Sequence, residues 1–175
     1  MALTGYKRLC SRRSGGIRQV ALIEAGKITA ATYHADTDSY TAIALAAGAK
    51  FARYEFREDE ARLAEKMSIS KGSLVVEHEL TLVLGKMDAA SRKAVQEIAE
   101  ASCGGIVALI TDNNGYTVLA GYSEEFGKER PLGLAAADGQ SGRKLADPTQ
   151  EAVTLVSTDT AKARAYTGDI STLTA

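Results

Sequence analysis

The sequence predicts a mainly β (α+β) protein, a β-sandwich or barrel with one flanking α-helix, on three observations. Apolar and polar residues alternate with a period of two over much of the chain. Only residues 88–102 carry helical spacing instead. Gly, Asn and Asp break up the remainder at short intervals, as turns between strands require.

The first candidate strands are residues 17–24, 28–34 and 40–45, separated by glycine or by the turn-forming residues 36–39. In residues 50–57, Ala52, Tyr54 and Phe56 fall on one face and Arg53, Glu55 and Arg57 on the other. That is the alternation of a half-buried antiparallel strand. Residues 74–84 put Val76, Leu80, Leu82 and Leu84 on one side and Glu77, Glu79 and Thr81 on the opposite side. At roughly 3.3 Å per residue this strand is more than about 30 Å long.

Asp88 is a good N-cap, and Ala94, Val95, Ile98 and Ala101 follow at helical spacing. Lys93 and Glu97 form an i,i+4 pair, and Gly104-Gly105 ends the run. The narrow, Ala-rich apolar stripe suits packing on one sheet face. Residues 106–111 and 116–122 flank Asp112-Asn113-Asn114-Gly115, a strong hairpin signal. Beyond Ser123 the pattern dissolves into a polar, glycine-broken stretch, expected to be a long loop over 124–148. A last strand pair, 151–157 and 161–166, is expected to turn at Thr158-Asp159-Thr160. The organisation is an extended N-terminal arm, 1–16, followed by one β-rich domain, 17–175.

Composition excludes several classes of function. With 45% hydrophobic and 25% charged residues the chain is globular rather than disordered. No apolar run approaches the roughly 20 residues that span a bilayer, so no membrane partner is expected. Arg8, Arg12 and Arg13 sit among serines in the manner of an organellar presequence, but Gly15-Gly16 leads straight into a strand. Synthesis in the cytoplasm is the expectation, and Cys10 and Cys103 read as free thiols of a reducing compartment. A net charge of −1 and the absence of Trp argue against a nucleic-acid trap or a base-stacking platform. Charge is nevertheless uneven. Lys7, Arg8, Arg12, Arg13 and Arg18 all precede the first acidic residue, Glu24, which fits an arm that docks on an acidic neighbour.

Catalytic and metal-binding patterns are lacking. His78 stands between Glu77 and Glu79, but on a strand the two glutamates point away from the histidine and the three cannot share an ion. His34 has no partner in sequence. Asp36-Thr37-Asp38 reads as an Asx-turn, and the Asp112 turn lacks the acids of a calcium loop. The Gly139–Gly142 loop, with Arg143 and Lys144 behind it, has neither the spacing nor the strand-to-helix setting of a phosphate loop. No serine sits in a nucleophile elbow. The expectation is a protein that is not an enzyme and holds no cofactor or metal.

Residues 72–122 carry a family resemblance. The succession is the long strand with Glu77-His78-Glu79-Leu80-Thr81-Leu82-Val83-Leu84, then Met87-Asp88, then a helix with Arg92 and Ile98. A strand, the Asp112-Asn113-Asn114-Gly115 turn and a strand ending Leu119-Ala120-Gly121-Tyr122 follow. Together with the opening around Cys10 and Gly15-Gly16-Ile17 and the region around Gly133 and Gly139, this resembles small tail proteins of Bacteroidetes-type phages and prophages. The family it resembles is the tail tube (major tail) protein of long-tailed bacteriophages.

The resemblance implies a virion structural protein whose subunits close into rings, commonly of six. The rings stack into a hollow tube that conducts double-stranded DNA without sequence-specific binding. Its partners would be itself and other tail proteins. It implies contacts between subunits or rings from Lys7, Arg8, Arg12 and Arg13 of the arm, from Tyr40, and from Arg143. A conduit must not grip its cargo, so the lumen is expected to be acidic or neutral, drawing on Glu55, Glu77 and Glu79, with the basic arm facing protein. Tail terminator, connector and head decoration proteins are alternatives within the virion. A small monomeric binding module, or an unrecognised hydrolase using the loop near Gly139 and Arg143, is the alternative from another class.

Overall fold

A computed structural model describes Gly5 and residues 14–175. Two sheets pack face to face with one helix at their side, a β-sandwich with a flanking helix as the alternation predicts.

The larger sheet is built from β1 (Ile17–Glu24), β2 (Ile28–His34), β3 (Ser39–Leu45), β4 (Ala52–Glu55), β7 (Ile106–Asp112), β8 (Thr117–Ala120) and β11 (Arg164–Tyr166), in the order β2-β3-β11-β8-β7-β1-β4. The smaller consists of β5 (Ala61–Ser70), β6 (Ser73–Leu84), β9 (Gly133–Gln140) and β10 (Gln150–Asp159), in the order β5-β6-β10-β9. It is antiparallel throughout.

Between the sheets lies one core, in which Val20, Leu22, Ala108 and Ile110 meet Leu80, Leu82, Val153 and Leu155. A second core occupies the far face of the larger sheet, where Ala21, Ile23, Val107 and Leu109 pack with Tyr40, Ile43, Phe51 and Leu173. β1 and β7 are therefore buried on both faces, which is why β7 reads Ile-Val-Ala-Leu-Ile with no polar alternation. Burial of each such Leu or Ile side chain stabilises the fold by about 1.5–3 kcal/mol.

Helix α1 (Ala89–Ser102) begins as expected. The Asp88 carboxylate accepts from the Ser91 N–H at 2.8 Å, and Ser91 Oγ accepts from the Asp88 N–H at 3.0 Å, a reciprocal cap. These bonds hold the Asp88 carboxyl below the usual carboxylate range. Lys93 and Glu97 pair at 3.7 Å. Ile98 is the helix's buried anchor, with Val95 and Ala101 packed partly against the inter-sheet core.

Three expectations are corrected. Residues 61–70, which the sequence reading leaves unassigned, form β5 and make a hairpin with β6 through Lys71 and Gly72. Both turn residues have positive φ, 49° and 84°, the geometry that matches hairpin twist and that glycine makes easy. The stretch 124–148 is not one loop, because β9 runs through it. Its Gly-Leu-Ala-Ala-Ala-Asp-Gly-Gln has no alternation to read: it is exposed over nearly its whole length and is held by main-chain pairing to β10. Finally, 151–157 and 161–166 do not form a hairpin. β10 continues to Asp159 beside β6, and the chain then crosses to the other sheet, where β11 pairs with β3 and β8. A polar turn marks where a chain changes direction and not which strand it meets next.

Candidate assembly surface

Inward residues of the smaller sheet are mostly apolar, with Glu65, His78, Glu151, Ser157 and Asp159 as the polar ones, and its outer face is the broad polar surface left open. Register assigns that face: Arg62, Ala64 and Lys66 on β5, Glu77, Glu79 and Thr81 on β6, Thr154, Val156 and Thr158 on β10, Ala136 and Asp138 on β9. Glu77 and Glu79 are exposed there, while His78 between them is 3% exposed and points inward, as strand geometry requires. Lys66 stands directly across from Glu77. The charged groups on this face are three carboxylates (Glu77, Glu79, Asp138) and two cations (Arg62, Lys66), a near balance with a slight acidic excess.

Both edges of this sheet lack a strand partner among the described residues. The β5 edge is ten residues long and pairs with β6 without a register break. The β9 edge is eight residues long. At the free end of the β5–β6 hairpin, Met67, Ile69 and Leu74 are 48%, 77% and 42% exposed. The opposite end of the sheet carries the 141–149 loop with Leu145 fully exposed.

The other residues singled out from sequence scatter. Glu55 sits on β4, at the far edge of the larger sheet, ion-paired with Arg53 on its own strand. It shares no face with Glu77 and Glu79. Tyr40 is 1% exposed and packed edge-on against Tyr122 in the second core, so its side chain does not reach the surface expected of a contact residue. Its position on β3 across from Tyr33 puts it in phase with the core, and burial pushes its hydroxyl pKa up. Lys7, Arg8, Arg12 and Arg13 lie outside the described residues. The base of the arm is anchored: Ser14 N–H donates to Asn114 Oδ1 at 3.0 Å, and Asn113 Nδ2 donates to the Gly15 carbonyl at 2.7 Å.

Arg143 is exposed, but its loop is closed to anions. The N–H groups of Arg143 and Lys144 both donate to Asp147 Oδ2, at 2.8 Å each, so the protein's own carboxylate fills the place a phosphate would take. Those two bonds lower the Asp147 pKa. Gly139 faces the nearly buried Glu151, whose carboxylate would stand 2.7 Å from a Cβ at that position. Arg92 from α1 approaches Glu151 at 3.7 Å.

One buried constellation escaped sequence reasoning. Glu65, His78 and Ser157 lie side by side on β5, β6 and β10, facing inward. In residue type this is the set of a Ser-His-Glu hydrolase. The geometry is different. His78 Nε2 is 3.1 Å from the Ala161 carbonyl, which can only accept, so that nitrogen carries a proton and is not free to deprotonate Ser157. Ser157 Oγ is buried without a hydrogen-bond partner. The clue in sequence would have been β5 itself, since only its register brings Glu65 across from His78.

Among the described residues no helix is long and apolar enough to cross a membrane, and no group of His, Cys, Asp and Glu is placed to hold a metal ion. No protein-family model matches the sequence, and no curated protein or solved structure matches it.

Proposed function

We propose that the chain is a virion structural protein that self-assembles into stacked rings, as the tail tube subunit of a long-tailed phage. The observation that carries this reading is the pair of edges on the four-stranded sheet that have no strand partner among the described residues. Long free edges are templates for pairing, and closed assembly removes them. A β5 edge set beside the β9 edge of the next copy continues the sheet. Such a head-to-tail contact closes into a ring when the rotation per subunit allows. The charges suit it, because Arg62 and Lys66 at one edge would share a face with Asp138 of the neighbour's edge.

In that ring the outer face of the small sheet lines the lumen. Its near-neutral balance would let double-stranded DNA slide, whereas each neutralised phosphate adds salt-dependent grip. The lumen reading keeps Glu77 and Glu79 and drops Glu55, which is on the other side of the sandwich. The exposed apolar groups at the two opposite ends of the sheet supply ring-to-ring contacts, with the basic arm turned toward protein. No catalysis or cofactor enters this function. The partners are the chain itself, other tail proteins and passing DNA, and the place of action is the virion.

Negative-stain electron microscopy of the purified protein, with mass measurement in parallel, tests the reading. Stacked rings or tubes are expected. Rings that stop at one layer would turn the assignment to a terminator or connector. A monodisperse monomer at high concentration would overturn it.

A further inference from the structure

The buried row beneath the small sheet has a feature that assembly does not require. His78 presents its two ring nitrogens to two acceptors. Nε2 is 3.1 Å from the Ala161 carbonyl, and Nδ1 is 3.2 Å from Glu65 Oε1, which also accepts from the Ala163 N–H at 2.7 Å. Neutral imidazole has one N–H, so with Nε2 donating to Ala161 the Nδ1 lone pair faces a carboxylate oxygen. Nδ1 makes no aligned hydrogen bond as placed, although its contact with the Glu65 carboxylate is close. The imidazolium has two N–H groups and suits both acceptors.

These contacts join three separate pieces of chain. Glu65 belongs to the hairpin's outer strand, His78 to its inner strand, and Ala161 and Ala163 to the crossover between the two sheets. We propose that Glu65, His78 and the 161–163 crossover form a proton-sensitive latch that fixes the projecting β5–β6 hairpin to the body of the protein. With a proton on His78 the latch is closed on both sides. Without it, the lone pair and the carboxylate repel, and the hairpin is held by its packing and its main-chain pairing to β10.

The surroundings leave few other groups to respond. Glu65 faces His78 from β5, and β10 contributes the uncharged Ser157. On the crossover side Lys162 acts on the Glu65 carboxylate, and Asp159, Glu124 and Arg164 line the small cavity beside Ala161. From the larger sheet, Leu119 and Ala120 of β8 and Arg164 of β11 reach it, with Gly121 and Tyr122 just beyond β8. Burial alone pushes the Glu65 carboxyl up, but the His78 contact and the Ala163 N–H outweigh it and leave the carboxyl below its ordinary value. Glu65 is thus held as a carboxylate, the form in which it can accept from an Nδ1–H of His78. His34, the other histidine, is exposed at the end of β2 on the other sheet.

Amide hydrogen exchange on the full chain, kept dilute and unassembled, tests the latch. Protection is compared at about pH 8 and about pH 5.5, spanning the ordinary histidine range, and is corrected for intrinsic exchange. Peptides covering 61–78 and 159–164 are expected to gain protection at the lower pH relative to β7 peptides of the same molecule. His78→Gln, which can still donate to Ala161, should abolish the gain, and Glu65→Gln, which keeps an acceptor for Ala163, should shrink it. No gain in the unmodified protein, or an undiminished gain in either variant, would overturn the proposal. The readout needs no ring, so failure of the latch and failure of the tube reading are separable.

Discussion

The two sheets of this protein treat their surroundings in opposite ways. The seven-stranded sheet is packed on both faces at its centre and ends in blunted edges. β4 is only four residues long and carries Arg53 and Glu55, and the register of β2 against β3 is interrupted twice. The four-stranded sheet is covered on one face only. It ends in a ten-residue strand with unbroken register on one side and an exposed eight-residue strand on the other. Short, charged and bulged edges are how a sheet avoids a neighbour. The small sheet's edges also carry charges, Arg62, Lys66 and Asp138, and β9 shifts register once against β10, but both edges are twice as long as β4 or more and remain open among the described residues. The larger sheet holds the fold, and the smaller is the part proposed to hold the assembly.

Substitutions should separate the two regions by the measurement they move. The largest effect on stability is expected at the doubly buried centre. Leu109, 1% exposed on β7, is packed in the second core, and Leu109→Ala should cost about 2–5 kcal/mol in urea denaturation. A cost no larger than that of a surface substitution would mean that the second core is loosely packed and that the larger sheet is not the stable half.

Next in size is the buried row. Because the Glu65 carboxyl is depressed in the folded protein, its contribution is complete above the ordinary glutamate range and is lost as pH falls through the folded value. Stability should therefore fall on acidification below that range, and Glu65→Gln should be less stable at neutral pH with a flatter acid limb. Denaturation midpoints measured across that range decide it. The helix cap comes third: Asp88→Ala removes the acceptor for the Ser91 N–H and should lower Tm by a few degrees in calorimetry.

How far the sequence foretells each region follows the same division. Where burial is one-sided or complete it leaves a pattern. β1 and β2 were placed at Ile17–Glu24 and Ile28–His34 by alternation and punctuation, and Asp88 announced α1. The inward turn of His78 followed from period two alone. β9 left almost no pattern, because an exposed strand of Gly and Ala is selected by its main chain and not by its side chains. β5 is obscured by Arg62, Glu65 and Lys66, of which Glu65 points inward, where it accepts from the Ala163 N–H and stands beside His78. So the stable half was legible, whereas β5 and β9, the edges of the candidate surface, were not. Their pairing is local, β5 with β6 across a two-residue turn and β9 with β10 across residues 141–149, but their outer side chains bury too little to leave an apolar period. On the proposed reading their free sides meet other copies of the chain.

The smallest effect on stability is expected at the edge, and it bears most directly on the comparison. Asp138 is exposed on the outer face of β9, where Asp138→Lys meets no buried group and should shift stability by no more than about 0.5 kcal/mol. If the β9 edge of one copy lies beside the β5 edge of the next, the same change places a third cation near Arg62 and Lys66 and should suppress ring formation. Combining it with Arg62→Glu, whose cross-strand neighbour is the uncharged Thr81, restores opposite charges across that contact and should recover rings in negative stain while thermal stability stays level. Loss without recovery would place the subunit contact elsewhere on the sheet. Rings unaffected by Asp138→Lys would show that the β9 edge is not the joining edge, and the asymmetry between the two sheets would then need another cause.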